Sequence, residues 1–346
     1  MRRPVFAKST TLLDNPHALE GKLARYLGAR WGESVQVHGL TRFHGGAARE
    51  TFRFVAEAGH GSKALVLRRD PASSLIRTSR AAEFHVLVRT FAAGLRVPEP
   101  LYLETDDIAF GAPGFIMAEV AGGRAAGIFE DDPYGPARGE TGEALFTQLG
   151  RLHALVPDAA DRAALPVHDA AARLAHWKAE VQAHATRPEP VAKAAIRWLE
   201  RHVPQSSGPP ALVHGDFRSG NFLVDDDAKL LAVLDWEMAH VGDPMEDLAW
   251  AMDPLWGHGK LELAAATLPR DEAITRWEAA SGRRFAADAW NWWRLFAGVS
   301  GLAIWISSSF EVASHRTVDP VMIFAGFYPY RFHNAQVARL LAELAA

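Results

Sequence analysis

Residues 212–250, LVHGDFRSGNFLVDDDAKLLAVLDWEMAHVGDPMEDLAW, decide the fold of this chain. Three short apolar runs separated by a polar loop and an acidic turn predict three strands: residues 211–213, 221–224 and 230–234. A hairpin of the last two would place Asn221 beside Asp235. An amide and a carboxylate at strand ends, without Cys or paired His nearby, suit Mg²⁺ better than zinc. Asp216, in the first loop, remains as a candidate general base for a substrate hydroxyl.

The motif HGDFRSGN at 214–221, followed by DWE at 235–237, resembles the catalytic sequences of the aminoglycoside phosphotransferase and choline kinase family. In that family H-G-D-x-x-x-x-N replaces the H-R-D-x-x-x-x-N loop of protein kinases, and the later Asp replaces that of D-F-G. Each motif alone is common in turns, but their spacing and strand context together favour the kinase-like interpretation. The resemblance implies a two-lobed, protein-kinase-like α+β fold. Residues 1–118 would form a small lobe with an antiparallel sheet, and residues 119–346 a larger, mostly helical lobe.

The amino-acid composition restricts the classes of protein to which this chain can belong. The chain has 346 residues, of which 49% are hydrophobic, so it can bury a sizeable core. Its 37 basic and 41 acidic residues, without a long basic run, argue against a nucleic-acid partner. It has no cysteine, which is compatible with the cytoplasm, and no signal-peptide pattern at its N-terminus. We therefore expect a cytoplasmic protein that does not act at a membrane.

Ahead of the catalytic stretch, residue spacing predicts one helix and then three antiparallel strands: residues 16–32, 35–43, 51–57 and 63–69. The resemblance implies that the turn with Gly45 and Gly46 approaches the phosphates of ATP. Arg68 would replace the phosphate-binding Lys of protein kinases, since a guanidinium can hold phosphate oxygens bidentately. Arg69 should point to the opposite face of the strand, toward solvent.

Residues 79–95 predict an amphipathic helix that ends at a glycine, with four inward apolar residues: Phe84, Leu87, Val88 and Phe91. In the resemblance Glu83 on this helix pairs with Arg68. Residues 114–120 predict a further strand, which would lead into the connection between the lobes. There backbone groups near Met117, Ala118, Glu119 and Val120 would meet the adenine edge.

The second lobe is predicted to be helical over residues 140–155, 170–185 and 191–202, with His153 as a buried core histidine. The uncharged run 295–310 is too short to span a bilayer and predicts a buried helix. The C-terminal part is rich in tryptophan, which suggests an apolar or cationic acceptor pocket. These residues are Trp250, Trp256, Trp277, Trp290, Trp292, Trp293 and Trp305.

The resemblance also assigns the chemistry. Asp216 would orient a hydroxyl and accept its proton, while Asn221 and Asp235 would hold the Mg²⁺ that bridges the phosphates of ATP. Arg68 would bind non-transferred phosphate oxygens, and Arg218 would neutralise charge that develops during transfer.

Two further residues of this stretch are assigned structural support for the catalytic loop. Asp247 lies in the first turn of a predicted helix, after Gly-Asp-Pro. The family resemblance implies that it accepts hydrogen bonds from the backbone of the catalytic loop. His214, the first residue of the motif, is predicted to support the catalytic loop together with Asp247.

The sequence thus predicts an ATP-dependent phosphotransferase that acts on a hydroxyl of a small molecule. The motifs HGDFRSGN, LDWE and GDPMEDLAW most resemble those of the kinase-like domains found beside or fused to acyl-CoA dehydrogenases. This favours a metabolite, such as a hydroxy-acid or its acyl derivative, over an aminoglycoside antibiotic. Two other classes stay open: a nucleotide-binding pseudokinase without transfer activity, and a metal-dependent hydrolase, although a hydrolase would normally use a His-rich site.

Overall fold

The computed structural model describes residues 16–43, 50–70, 79–127 and 129–345. Its helices are α1 (Pro16–Trp31), α2 (Arg80–Ala92), α3 (Arg138–Ala154), α4 (Ala159–Ala164), α5 (Ala170–His184), α6 (Pro190–Arg201), α7 (Met245–Ala251), α8 (Arg270–Ser281), α9 (Trp290–Ala313) and α10 (Pro320–Ala345). Its strands are β1 (Gln36–Arg42), β2 (Glu50–Ala58), β3 (Gly61–Arg69), β4 (Pro100–Glu104), β5 (Gly114–Ala118), β6 (Arg124–Ala125), β7 (Ala211–Val213), β8 (Phe222–Val224), β9 (Leu230–Val233), β10 (His240–Gly242), β11 (Leu263–Ala264) and β12 (Leu268–Pro269). Short 3₁₀ turns cover Gly135–Ala137, Trp236–Met238 and Pro254–Gly257.

The described residues divide into two compact units, and the predicted two-lobed α+β fold is confirmed. One unit is drawn from Met1–Arg80 and Pro100–Glu119, and the other from Ala81–Glu99 and Val120–Ala346. The break therefore falls one residue after the predicted boundary at residue 118. Most of α2, which the sequence analysis placed in the small lobe, belongs with the larger unit.

The smaller unit is built on a five-stranded antiparallel sheet with the strand order β1-β2-β3-β5-β4. Leu19, Leu23 and Leu27 recur at helical spacing along α1, so they bury one face of that helix in the hydrophobic core of this unit, with Phe54 and Leu67. The burial of these side chains stabilises the sheet through the removal of apolar surface from water.

The two arginines at the end of β3 differ from the prediction in one respect. Arg68 lies opposite Thr51 of β2 and Phe115 of β5. Arg69, which was predicted to be solvated, is 6% exposed, and that prediction was wrong. Its guanidinium donates to Glu50 at 2.8 Å and to the carbonyl of Phe110 at 2.5 Å. These partners compensate the burial of its charge.

Helix α2 is tied to the larger unit through a buried carboxylate. Asp161 of α4 is fully buried and accepts hydrogen bonds from His85 at 2.8 Å and from Arg89 at 3.4 Å. The predicted helix is confirmed, but Val88 and Phe91 are exposed, so the predicted phase was wrong there. Its buried face instead carries Val86, Leu87, Thr90 and the predicted site residue Glu83, which is 2% exposed.

The catalytic stretch folds as a hairpin flanked by a second strand pair. β8 pairs with β9, as the sequence predicts, and the register pairs Phe222 with Val233. β7 pairs with β10, a strand that the sequence analysis missed. The loop between β7 and β8 is consequently held from both ends.

Helix α9 is the buried helix that was predicted for the uncharged run. It is long and apolar enough to cross a membrane, but 72% of its most apolar window is buried in the protein. Gly298 and Gly301 let α10 approach closely, since a Cβ on them would lie 2.6 Å from Val337 and 2.1 Å from His333. The glycines therefore serve helix packing.

Candidate active site

The loop between β7 and β8 makes a tight turn at Gly215. Its φ is +84°, and a Cβ there would lie 2.5 Å from the carbonyl oxygen of Met238, so only glycine fits without strain. His214 fixes the turn from the other side. Its Nε2 donates to the carbonyl of Leu234 at 2.9 Å, and its Nδ1 accepts the backbone N–H of Asp216 at 3.1 Å. The ring thus connects the loop to the end of β9.

Asp247 in the first turn of α7 binds the backbone of the same loop. It is fully buried and accepts the N–H of His214 at 2.7 Å and the N–H of Gly215 at 2.8 Å. Two backbone donors that would otherwise lack partners in the interior are satisfied by one carboxylate. The conformation of the loop therefore depends on a residue that lies more than thirty positions further along the chain.

A buried histidine supports Asp247 in turn. Nε2 of His153 lies 3.1 Å from Asp247, and its Nδ1 accepts the indole N–H of Trp277 at 2.8 Å. Because Nδ1 is an acceptor, the ring is neutral with its proton on Nε2. Burial lowers the pKa of His153, against the opposing effect of the Asp247 carboxylate. The prediction of a core histidine is confirmed by its complete burial and its two partners.

Asp216 is the carboxylate at the open side of the loop. Its Oδ1 accepts the indole N–H of Trp250 at 2.7 Å and the Nε–H of Arg218 at 3.1 Å, and its Oδ2 accepts Nδ2 of Asn221 at 2.7 Å. Its side chain keeps 15% of its surface exposed. The carboxylate is therefore held by three side chains and still reaches solvent.

Asn221 directly precedes β8 and Asp235 follows β9 of the same hairpin. Nδ2 of Asn221 donates to Oδ2 and to the backbone carbonyl of Asp216, which leaves its Oδ1 as a candidate ligand for a cation. Its own carbonyl accepts the N–H of Leu234 at 2.8 Å, next to Asp235. Asp235 has a left-handed backbone with φ of 65°, which is uncommon for a residue with a Cβ.

The donors of this pair fit Mg²⁺. Among the described residues no group of three or more His, Cys, Asp or Glu side chains could hold a metal ion. Mg²⁺ is commonly bound by only one or two protein oxygens, and substrate phosphates and water complete its shell. An amide oxygen and a carboxylate are ligands of that kind, whereas protein zinc sites usually contain several His or Cys ligands.

Arg218 extends along the outer side of the loop. Besides Asp216, it donates to the carbonyl of Ser219 at 3.0 Å, and its guanidinium lies 4.7 Å from the ring centre of Trp256. A guanidinium stacked on an indole is held in place without losing its charge. Gly220 gives it room, since a Cβ there would lie 2.7 Å from Arg218.

A small cavity of about 10 Å³, with room for roughly one water molecule, opens beside Gly215. Aromatic and aliphatic side chains form most of its wall, together with Ser300 and Glu246: Trp177, Met238, Trp250, Phe296, Ala297 and Ile304. Trp250 is one of the tryptophans that suggested an apolar acceptor pocket. Most of the others, including Trp277, Trp292 and Trp293, are core residues instead.

The charge of Glu246 in this wall is neutralised by buried partners. Nε of Arg173 donates to its two oxygens at 3.0 and 3.1 Å, and Nε2 of His240 lies 3.1 Å from Oε2. Burial alone would raise its pKa, but the Arg173 guanidinium and the His240 ring hold the pKa of Glu246 well below its usual range. The cavity wall is therefore mainly apolar, and the charge of its acid, Glu246, is compensated by Arg173 and His240.

The remaining predicted residues belong to other segments of the chain. Gly45 and Gly46 lie outside the described residues. Arg68 is the second-last residue of β3, and Glu83 lies in the first turn of α2. Met117 lies in β5, and the N–H of Glu119 already donates to the carbonyl of Ala64 at 3.0 Å. Val120 follows at the start of the second segment of the larger unit.

Sequence reasoning missed the partners that come from distant elements. The indole of Trp250 was assigned only to a general aromatic pocket, yet it binds Asp216 directly. The buried ion pair of Glu246 with Arg173 and His240 was not identified either. The helical spacing of Trp250 three residues after Asp247 was the one available signal.

With this geometry established, the comparisons with known proteins become informative. Residues 39–290 match the family model of the phosphotransferase enzyme family, APH. A curated relative, acyl-CoA dehydrogenase family member 11 of Rattus norvegicus, is 31% identical over 238 residues, which are 67% of this chain and 30% of the relative. The chain thus spans less than a third of that relative's length.

Two solved structures share the fold at low sequence identity. One is described as an aminoglycoside phosphotransferase from Ralstonia eutropha JMP134, with a TM-score of 0.72, 21% identity and coverage of 93% of this chain and 98% of that one. The choline kinase LicA from Streptococcus pneumoniae has a TM-score of 0.61, 12% identity and coverage of 92% and 99%. Fold, motif and family model agree: this chain belongs to the phosphotransferase enzyme family. The predicted family is confirmed.

Proposed function

We propose that this protein transfers the γ-phosphoryl group of ATP to a hydroxyl group of a small-molecule metabolite. The observation that carries the proposal is the arrangement of Asp216, whose carboxylate is oriented by three side-chain donors. One of these donors, Trp250, and the preceding residue, Gly215, line a small, mainly apolar cavity. Asn221, one of the two candidate cation ligands, donates a hydrogen bond to the carboxylate of Asp216. Positioning and electrostatic stabilisation are what phosphoryl transfer requires of a protein.

Asp216 would orient the acceptor hydroxyl and take its proton. Oδ1 has two donors, whereas Oδ2 has one, so Oδ2 keeps a lone pair for the hydroxyl hydrogen. The donors Trp250 and Asn221 prevent rotation of the carboxylate. A hydroxyl bound to Oδ2 would already be oriented for attack on the phosphoryl group, and this orientation would lower the activation free energy of transfer.

Asn221 and Asp235 would hold Mg²⁺ through an amide oxygen and a carboxylate. When bound, the ion neutralises phosphate charge. Nδ2 of Asn221 is occupied twice by Asp216, so the side chain cannot turn its oxygen away without losing both bonds. Asp235 has a left-handed backbone conformation, which restricts the direction in which its side chain leaves the backbone.

The nucleotide roles follow from the family resemblance. We assign Arg68 to the non-transferred phosphate oxygens, Glu83 to its orientation, and the turn with Gly45 and Gly46 to the phosphates. The adenine edge is assigned to backbone groups near Met117, Glu119 and Val120. Because the N–H of Glu119 is already used within the sheet, its carbonyl is the group that remains for this contact. Arg218 would stabilise charge that develops on the transferred phosphoryl group.

The acceptor is proposed to be a metabolite with an apolar portion. The cavity wall beside Gly215 is mainly aromatic and aliphatic, and its one acid, Glu246, is already paired with Arg173 and His240. A polycationic aminoglycoside would require unpaired acids at this place. The curated relative, whose name is that of an acyl-CoA dehydrogenase, supports a hydroxy-acid or its acyl derivative as the substrate class.

One experiment tests the proposal and its main rival, a pseudokinase. ATP consumption is measured with Mg²⁺ against a panel of hydroxylated metabolites that includes hydroxy-acids, amino alcohols and aminoglycosides, with Asp216→Ala as the control. We expect acceptor-dependent consumption that the variant lowers by about 10³-fold. Binding of Mg-ATP without transfer to any acceptor would favour the pseudokinase, and absence of nucleotide binding would exclude both. Hydrolysis of phosphate esters without ATP would favour the hydrolase.

A further inference from the structure

A second cavity lies in the larger unit, apart from the residues assigned to catalysis. It has a volume of about 440 Å³ and is bordered by the 3₁₀ turn Pro254–Gly257 and by α8, α9 and α10. This volume lies within the usual range of about 300–1,000 Å³ for small-molecule sites. Trp290, Leu263 and Leu340 give it apolar walls, and three arginines border it: Arg270, Arg294 and Arg339.

The arginines of this cavity are not all neutralised by the protein. Arg294 has Glu343 at 3.5 Å and Asn291 at 3.3 Å. For Arg270 and Arg339, no carboxylate of the described residues lies within 4.0 Å. The guanidinium of Arg270 rests 4.7 Å from the ring centre of Trp290. Burial lowers the pKa of Arg270, the neighbouring Asp271 carboxylate raises it, and the charge of Arg294 lowers it. The cavity therefore contains two arginines without a direct ion pair within the ranges that the structure describes, beside the acids Glu262 and Glu343.

Two further polar residues of the cavity wall, Asp253 and Gln336, indicate which other group a ligand would carry. Asp253 is 2% exposed and already accepts hydrogen bonds from His333 at 3.0 Å, from Gln336 at 3.0 Å and from the N–H of Leu255 at 2.9 Å. Gln336 is 7% exposed, and its Oε1 has no hydrogen-bond partner in the described part of the chain. A buried acceptor of this kind destabilises the protein unless a donor reaches it.

We propose that this cavity is a binding site for a small organic acid that also carries a hydrogen-bond donor. Arg270 and Arg339 would bind its carboxylate, Trp290 and Leu340 would contact its apolar body, and Oε1 of Gln336 would accept from its hydroxyl or N–H group. The site is separate from the proposed phosphotransfer and does not depend on it. Its other acids, Glu262 and Glu343, favour a singly charged ligand over a polyanion such as a nucleotide.

The test uses three matched probes and the full chain. Ligand-observed NMR titrations compare 4-hydroxybenzoate with benzoate, which lacks the donor, and with 4-hydroxybenzamide, which lacks the charge. We expect 4-hydroxybenzoate to bind about tenfold more tightly than either of them, since each lost charge-assisted or buried hydrogen bond is worth about 1.5 kcal/mol. Equal binding of the acid and the amide, or no binding of any probe, would overturn the proposal.

Variants locate the bound probe. Arg270→Gln and Arg339→Gln should each weaken 4-hydroxybenzoate binding about tenfold. The matched control is Arg276→Gln, which lies on the same helix α8 but pairs with Glu143 at the surface and should bind as the wild type does. Arg218→Gln tests the alternative location: if it weakens binding and the cavity variants do not, the probe occupies the catalytic region and the proposal is wrong. Circular dichroism verifies that each variant is folded.

Discussion

The catalytic loop contacts two aspartates that are surrounded in opposite ways. Asp247 is fully buried, and two of its three donors are backbone N–H groups of the loop. Asp216 keeps part of its surface exposed, and its three carboxylate donors are all side chains. Both are acids next to the same turn, yet one is bound to the backbone and the other to groups that can move.

This difference separates the support of the site from its chemistry. A carboxylate that satisfies buried backbone donors cannot change its charge or position without disturbing the fold. A carboxylate held by side chains at a surface can exchange one partner for a substrate hydroxyl. We therefore propose that Asp247 serves folding and Asp216 serves the reaction, and three predictions test this difference.

The largest expected effect is on stability, from the substitution Asp247→Asn. The amide keeps one acceptor oxygen and turns its NH₂ group toward a buried donor, so we expect a loss of about 2–3 kcal/mol in the free energy of unfolding. Urea denaturation measures it. Asp216→Asn is the matched control, and it should change the free energy of unfolding by less than about 1 kcal/mol while it abolishes most of the transfer activity. Equal destabilisation by both substitutions would remove the distinction.

A smaller effect is expected on activity, from Trp250→Phe. Phenylalanine fills most of the space but cannot donate to Oδ1 of Asp216, so the carboxylate is less well oriented. We expect kcat to fall about tenfold with little change in KM, because the lost interaction acts on orientation during transfer. Steady-state kinetics with the acceptor found in the panel measures both constants.

The control for Trp250→Phe is Trp292→Phe. That indole is also buried and donates to a backbone carbonyl, of Leu199 at 3.0 Å, away from the catalytic loop. It should lower stability to a similar extent but leave kcat unchanged. If both variants lower kcat equally, the indole of Trp250 acts only through packing.

The smallest effect concerns the pH dependence of stability, through His153. Its pKa in the folded protein is lowered by burial, so below about pH 6.5 the unfolded chain binds a proton that the folded protein does not. Stability is then lost as pH falls. We expect His153→Gln to reduce this loss by up to about 1.4 kcal/mol per pH unit, as measured by urea denaturation between pH 7 and pH 5. The exposed His202→Gln should retain the wild-type slope, and an unchanged slope in His153→Gln would show that His153 does not titrate on unfolding.

The sequence was sufficient where short-range patterns determine structure. The hairpin that brings Asn221 to the residues next to Asp235 follows from two apolar runs and an acidic turn. The buried helix α9 follows from its length and its glycines, and the family follows from one motif with the correct spacing.

The errors arose where a partner lies far along the chain. Strand alternation predicts only the face of the sheet on which Arg69 lies, and an arginine on that face was expected to be solvated. In the structure Arg69 is buried, and Glu50 and the carbonyl of Phe110 compensate the burial of its charge. The phase of α2 failed at Val88 and Phe91 because Glu83 and Thr90 are polar residues on its buried face. The pairing of Trp250 with Asp216 crosses 34 positions, and no local pattern encodes it.

The contact between Gly215 and Met238 has a practical meaning for laboratory evolution of this protein. The backbone at this turn leaves no space for a side chain, so libraries that vary residue 215 would yield mostly misfolded clones. Met238 contributes its flexible side chain to the cavity next to the same turn. Diversity introduced at Met238 and Ser300 would reshape the space for the acceptor while the turn itself stays intact.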